Sequence, residues 1–272
     1  MQVYVCVKHV PDTAANIVVV GENEFNESVK SVVNPYDEYA IEEAVQTVKQ
    51  TGGEVVIITI GKEEAIATVR SALALGADRA IFVKTEAQFL DSSLTSKILK
   101  KAIEQDGSPD LIFMGKQSVD SEGMQTHYRL AAAFDMPVAT EIIEFKLGEG
   151  KAVVVREIDG GIKEVSEITT PCVIGTTKGL NEPRYPKLPD ILKAKKKEVK
   201  NAEHKIKVFI NKYVVPFNIE ISRSRCLIWL PIPIVKINVH IFIRIAKYRN
   251  DICSILCWCW GRNKFPIRFN YQ

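Results

Sequence analysis

Four short apolar runs, at residues 2–8, 54–60, 79–84 and 110–114, alternate along the chain with amphipathic stretches at 35–50, 62–75, 91–105 and 124–134. An apolar run of that length, bounded by turn residues, reads as a strand buried on both faces, and a stretch with period near 3.6 reads as a helix with one apolar side. Regular alternation of the two makes successive strands parallel, because each helix carries the chain back to the edge where the previous strand began. The expected fold class is therefore α/β, a parallel sheet with helices on both faces in a three-layer, Rossmann-like arrangement.

Local signals mark the ends of these elements. Asn34 precedes Pro35, which places an N-cap side chain before a proline at the first helical position, and Asp37, Glu38, Glu42 and Glu43 load the early turns with acid. Gly76 follows Ala72–Leu75 and is a natural helix stop, since glycine enters the left-handed region without strain. After Pro137 the pattern changes to short strands at 153–155 and 162–168, separated by Asp159-Gly160-Gly161, a hairpin turn signal that predicts a small antiparallel edge. Pro171 opens one more apolar strand over 172–177. Pro183, Pro186 and Pro189 then forbid regular helix, so the chain is expected to leave the sheet as an extended arm. Residues 1–180 thus read as one α/β domain, 181–203 as an arm ending in a lysine-rich stretch, and 204–272 as an atypical, poorly ordered tail.

That tail is a different kind of sequence. It holds 12 Lys and Arg against Glu220 and Asp251 alone, whereas residues 1–203 hold 24 basic and 31 acidic residues, a net of −7. All three tryptophans lie in the tail, alanine and glycine fall to Ala246 and Gly261, and no period persists. Its composition resembles an out-of-frame translation of AT-rich DNA. The apolar stretch 227–243 is short for a membrane span and is interrupted by Pro231, Pro233, Lys236 and His240, so no span is expected. The acidic body offers no nucleic-acid surface. No charged-apolar-small pattern precedes the first strand, which predicts a cytosolic or matrix-type compartment.

The junction from Gly115 through Lys116, Gln117, Ser118, Val119, Asp120, Ser121, Glu122, Gly123, Met124 and Gln125 to Thr126 joins a strand to a helix, where an open α/β sheet holds a ligand. Gly115 is expected to let the backbone approach that ligand, and the amides that open the next helix suit an anion. Neither a Walker phosphate loop nor a Gly-x-Gly-x-x-Gly fingerprint is present, so an adenine nucleotide would be held by backbone amides, hydroxyls and the Gln117 and Gln125 amides in place of a lysine cradle. Cys6–His9, Ile60-Gly61 and Asn34–Asp37 end or begin elements that could face the same crevice. Cys6 and Cys172 read as buried core residues, His9 and His127 form no catalytic triad, and Cys253, Cys257 and Cys259 lack zinc-site spacing.

Six ordered motifs resemble the β subunit of electron transfer flavoprotein over about residues 1–200. They are Val5-Cys6-Val7-Lys8, Asn34-Pro35-Tyr36 with Glu42-Glu43-Ala44, Ala72–Arg79, Gly115-Lys116-Gln117 through Gln125-Thr126, Arg156–Gly161, and Leu180–Tyr185 leading to Lys193–Lys197. Ser166 and Gly175 depart mildly from the family's signature segment. The resemblance implies an adenine-nucleotide-hydrolase-like fold and an electron carrier rather than an enzyme. It implies a heterodimer in which an α subunit holds most of the FAD site while this chain binds a structural AMP. AMP contacts would fall on Cys6, Asn34, Pro35, Tyr36, Asp37, Ile60 and the loop 115–126. Leu188 would insert into an apolar pocket on acyl-CoA or other flavin dehydrogenases, with Lys193 and Lys196 beside it, and electrons would pass to a quinone oxidoreductase or another acceptor. Two alternatives stand beside it: a flavin-bifurcating relative with a second FAD in the AMP site, and a standalone universal-stress-type nucleotide-binding protein, whose glycine-rich loop is not found. An adenylating ligase would need a Ser-Gly-Gly-x-Asp-Ser loop that residues 8–13 do not form.

Overall fold

The computed structural model describes residues 1–20, 24–26, 28–87, 89–202, 241–245, 255–259 and 267–269. The chain divides into two compact units, Met1–Tyr213 and Val214–Gln272. The first begins with β1 (Gln2–Cys6), followed by the short strands β2 (His9–Pro11), β3 (Val19–Val20), β4 (Glu24–Phe25) and β5 (Ser31–Val33). Next come α1 (Pro35–Thr51), β6 (Glu54–Gly61), α2 (Ala65–Ala74), β7 (Arg79–Lys84), α3 (Ser92–Asp106), β8 (Leu111–Gly115) and α4 (Thr126–Phe134). The unit finishes with β9 (Val138–Leu147), β10 (Lys151–Ile158), β11 (Ile162–Thr169), β12 (Cys172–Thr176), α5 (Leu188–Ala194) and β13 (Val199–Asn201).

Nine of these strands form one sheet in the order β11-β10-β9-β12-β8-β1-β6-β7-β13. All pairings from β9 to β13 are parallel, and only β10 runs against its neighbours. From β1 the chain steps outward through β6 and β7, then returns to place β8 on the other side of β1. The sheet therefore reverses its winding between β1 and β8. Side-chain alternation sorts the core accordingly: Val3, Val5, Phe113 and Ile174 meet Ile41 of α1 and Leu73 of α2 on one face. On the other, Tyr4, Cys6, Ile112 and Met114 meet Ile98 of α3 and Leu130 of α4.

The α/β reading holds, and three differences have physical causes. β9 is a ten-residue strand where only a change of pattern was expected; it packs one face only, so Glu141, Glu144 and Lys146 interrupt what would otherwise be an apolar run. β2 and β5 form an antiparallel ribbon beyond the end of β1, too short to carry a sequence period. Leu188, placed in an extended arm by the prolines, instead opens α5, because Pro189 sits in the first turn, where its missing N–H leaves no bond unmade. The lysine-rich stretch then spans the end of α5 and the edge strand β13, which pairs with β7.

The arm is fastened at both ends. Arg184 donates from Nε and Nη2 to the two carboxylate oxygens of Glu42 at 2.6 and 2.7 Å, and the Asn181 amide donates to the Tyr39 carbonyl and to Glu43. Glu42 and Glu43, which the helix-dipole argument explains as early-turn acid, are thus buried partners of the arm. Gly76, with φ of +124°, leaves room for this arm: a Cβ there would lie 3.3 Å from the Arg184 guanidinium. Farther along, Lys197 Nζ donates to the carbonyls of Leu73 and Ala77 at the end of α2, and Arg70 Nη1 donates to those of Ala194 and Lys197.

In the second unit, β14 (Ile241–Ile245), β15 (Ile255–Cys259) and β16 (Ile267–Phe269) form an antiparallel sheet of their own. The apolar stretch up to residue 240 and Cys253 lie outside the described residues, as does most of the segment expected to be poorly ordered. Among the described residues no helix is long and apolar enough to cross a membrane.

Burial pushes the Glu42 carboxyl up, but hydrogen bonds from Arg184 and Gln46 outweigh it, so the group titrates below its ordinary value of 4.5. A carboxyl depressed on folding stabilises the native state above its unfolded value, and that contribution is lost as pH falls through the folded value. Arg184→Ala should lower unfolding free energy by about 2 kcal/mol at neutral pH. In urea titrations the gap between wild type and variant should close below pH 4.5.

Candidate functional site

The carboxyl-terminal ends of β1 and β8 lie side by side at the point where the sheet reverses, and the start of α1 closes over them. Asp37, in the first turn of α1, ties the three together: Oδ2 accepts the Lys8 backbone N–H at 2.8 Å, and Oδ1 accepts those of the Gly115 backbone and the Asn34 side-chain amide, both at 3.0 Å. Burial pushes this carboxyl up to about 7 against the pull of those three donors. Gly115 serves this packing. A Cβ on it would come within 2.5 Å of Asp37 Oδ1 and 2.6 Å of Tyr36 Cβ.

The loop after β8 is gripped from two sides. Asn34 was expected to cap α1, but its side chain makes no cap bond. It donates instead to the Gln117 carbonyl at 2.9 Å and accepts the Val119 N–H at 3.1 Å. From β1, Lys8 Nζ reaches Asp120 Oδ1 at 2.7 Å, Ser118 Oγ at 3.2 Å and Ser121 Oγ at 3.4 Å. Lys8 lies in the stretch Cys6–His9 that was expected to face the crevice but was not singled out: its contacts with the loop arise because it follows the end of β1, next to β8. The loop turns tightly, with Glu122 and Met124 both at φ of +48° and the Glu122 N–H donated to Ser118. The Gln125 amide oxygen accepts from Arg129 and Ser92. No side chain caps α4, so its first amides keep their donor capacity at the crevice.

A cleft of about 1330 Å³ opens here. The structure brings Cys6, Asn34, Asp37, Ile60, Gly115 to Ser121 and Gly123 to Thr126 to its wall. Pro35, Tyr36 and Glu122 stand off it: Pro35 begins α1, and Tyr36 lies under Lys116 with Nζ 5.6 Å from its ring centre while its carbonyl accepts from Thr176. Lys116 itself pairs with Glu141 at 3.0 Å. Ile17, Phe25, Phe89 and Leu90 form an apolar outer wall that the sequence did not mark. Leu188, 70% exposed, lies on α5 with Ile191 and Leu192, also exposed; Tyr185 before the helix, Lys193 on it and Lys196 after it are exposed as well.

The cysteines are core residues. Burial pushes the Cys6 thiol far above its ordinary range and that of Cys172 up to about 12, which removes thiolate chemistry from both at neutral pH. His127 lies at the base of α4, 1% exposed, with its ring 4.3 Å from that of Tyr128. Burial lowers its pKa to about 4, so it is neutral at physiological pH. Among the described residues no cluster of His, Cys, Asp or Glu is arranged to hold a metal ion.

A sheet of this topology with a polar strand-to-helix loop at its reversal defines an open-sheet α/β protein with a crevice at the switch point. The electron transfer flavoprotein domain family matches residues 23–206. The electron transfer flavoprotein subunit beta of Bradyrhizobium diazoefficiens is 41% identical over 203 residues, covering 73% of this chain and 80% of that protein. The Bacillus subtilis subunit beta is 36% identical, covering 75% of this chain and 79% of its own length. The mitochondrial subunit beta of Arabidopsis thaliana is 41% identical, covering 74% and 80%. The chain belongs to the electron transfer flavoprotein family.

A base depressed on folding makes the native state less stable as pH falls from its unfolded value, here 6.5, toward its folded value of about 4. Thermal melts should show this loss, and His127→Gln should remove that part of it. Gly115→Ala should cost about 2–3 kcal/mol in urea unfolding, because the added methyl displaces the first turn of α1.

Proposed function

We propose that this chain is the β subunit of a heterodimeric electron transfer flavoprotein that binds AMP as a structural nucleotide. The observation that carries the nucleotide reading is the loop 115–121, held open by Asn34 and Lys8 at the switch point beside the uncapped start of α4. The residues fit an adenine nucleotide: uncapped amides and the hydroxyls of Ser118, Ser121 and Thr126 suit a phosphate and ribose, while Cys6 and Ile60 supply an apolar seat. FAD, held mainly by the α subunit, supplies the redox chemistry when bound. This chain contributes a rigid scaffold and the exposed face of α5, on which Leu188 serves as the anchor for a flavin dehydrogenase, with Lys193 and Lys196 flanking it. Electrons then pass to a quinone oxidoreductase or another acceptor. The compartment is the cytoplasm of a prokaryote or the mitochondrial matrix.

A second reading places another FAD in the crevice. The volume of the cleft, about 1330 Å³, and the apolar side chains of Ile17, Phe25 and Phe89 in its wall favour it. Co-expression with an α subunit and extraction of the bound nucleotides separates the two. One FAD and one AMP per heterodimer supports the structural-nucleotide reading, whereas two flavins and no AMP establishes the second. A homodimer indifferent to the α subunit would overturn both in favour of a standalone nucleotide-binding protein.

The family match ends at residue 206, close to the compositional change. This supports reading 204–272 as a frameshift product, and translation of the other frames beyond codon 203 should then reveal an acidic, periodic continuation.

Leu188→Ala should leave the melting temperature unchanged, because the side chain is 70% exposed. It should slow electron transfer from a partner dehydrogenase about tenfold or more at subsaturating concentrations.

A further inference from the structure

Lys8 emerges from β1 where the sheet reverses, and its root is fixed, since its backbone N–H is donated to Asp37. Its ammonium carries three donors, and three loop oxygens lie within their reach: Asp120 Oδ1 at 2.7 Å, Ser118 Oγ at 3.2 Å and Ser121 Oγ at 3.4 Å. The two serine hydroxyls are themselves 2.8 Å apart, so the four groups close on one another. Burial pushes the Asp120 carboxyl up, but the bonds from Lys8 and Ser118 outweigh it and hold the group below its ordinary range, as an ionised partner of the ammonium. Asn34 holds the preceding part of the same loop through Gln117 and Val119.

We propose that Lys8 is a positioning residue of the crevice: acting through Asp120, Ser118 and Ser121, it presets the loop 117–121 for a nucleotide and does not itself touch the phosphate. The inference rests on reading the crevice as an adenine-nucleotide site. Its physical basis is pre-organisation. A loop already held in its binding conformation loses less entropy when the ligand arrives, and this gain is shared by every ligand that uses the loop, whatever its charge. A lysine that met the phosphate directly would favour the phosphorylated ligand alone.

The test compares equilibrium binding of AMP and of adenosine to the full-length chain stripped of nucleotide, in wild type, Lys8→Met, Lys8→Arg, Asp120→Asn and the Lys8→Met/Asp120→Asn double variant. Lys8→Met should weaken AMP and adenosine by the same factor, about tenfold. Asp120→Asn should do the same, and the double variant should be no weaker than either single one, because both remove one interaction. Lys8→Arg should restore most of the affinity. In the ligand-free chain, amide exchange of residues 117–121 should quicken in Lys8→Met and Asp120→Asn, with melting temperatures unchanged. A loss confined to AMP, or an Asp120→Asn variant that binds AMP more tightly, would show Lys8 to be a phosphate ligand and overturn the proposal. Unchanged binding in every variant overturns it while leaving the crevice reading intact. Failure of wild type to bind either ligand defeats that reading and the proposal together.

Discussion

The carboxyl group of Asp37 accepts the backbone N–H groups of Lys8 and Gly115 and the side-chain amide of Asn34, and it does so almost fully buried, 4% exposed. Removing a carboxylate from solvent costs several kcal/mol unless its lone pairs are occupied, so the group is tolerable only where strand ends and a helix start bring donors together. The β1/β8 reversal is such a place, with β1 leading to α1 on one face and β8 to α4 on the other. Gly115 must lack a side chain so that the first turn of α1 can approach, and Asn34 must turn inward rather than cap its helix. Both requirements follow from that one buried carboxyl group. The crevice owes its shape to them, because they set the separation between the start of α1 and the loop after β8.

Much of this was legible in the sequence wherever one element fixed its own pattern. Fully buried strands such as Val55–Ile58 and Leu111–Met114 read as continuous apolar runs, and Pro35 and Gly76 mark helix ends by backbone chemistry alone. What stayed hidden depended on partners distant in the chain. Asn34 looks like a cap because it precedes a proline, yet its bonds go to residues 117 and 119. Glu42 looks like dipole compensation until Arg184 arrives from 142 residues away. Lys8 sits in an apolar strand motif and shows its role only when β1 and β8 become neighbours.

The two edges of the sheet use polar groups differently. At the amino-terminal edge, Asp106 accepts from Tyr4, Arg79 and Lys200, while Arg79 also takes Glu54 in a bidentate pair. Donors and acceptors there satisfy one another, and the network fastens β13 to the sheet. At the carboxyl-terminal edge the loop is held by its flanks while the first amides of α4 remain without a side-chain cap. A closed network stabilises without selecting any ligand; donors left open at a pre-shaped wall gain their partners when an anion binds.

α1 connects this open edge to the arm. Its first turn, through Asn34 and Asp37, holds the crevice; its next, through Glu42 and Glu43, holds Arg184 and Asn181, from which the chain runs to the exposed apolar face of α5. The two attachments are little more than one turn apart on a helix buried along one side, so they share a single rigid reference. A nucleotide that binds only the folded crevice stabilises that reference by mass action, and with it the position of the arm. This gives physical content to a structural nucleotide in an electron carrier. Under the proposed function, its binding free energy would go into the geometry of a docking face, while the redox chemistry would reside in a flavin held mainly by another chain.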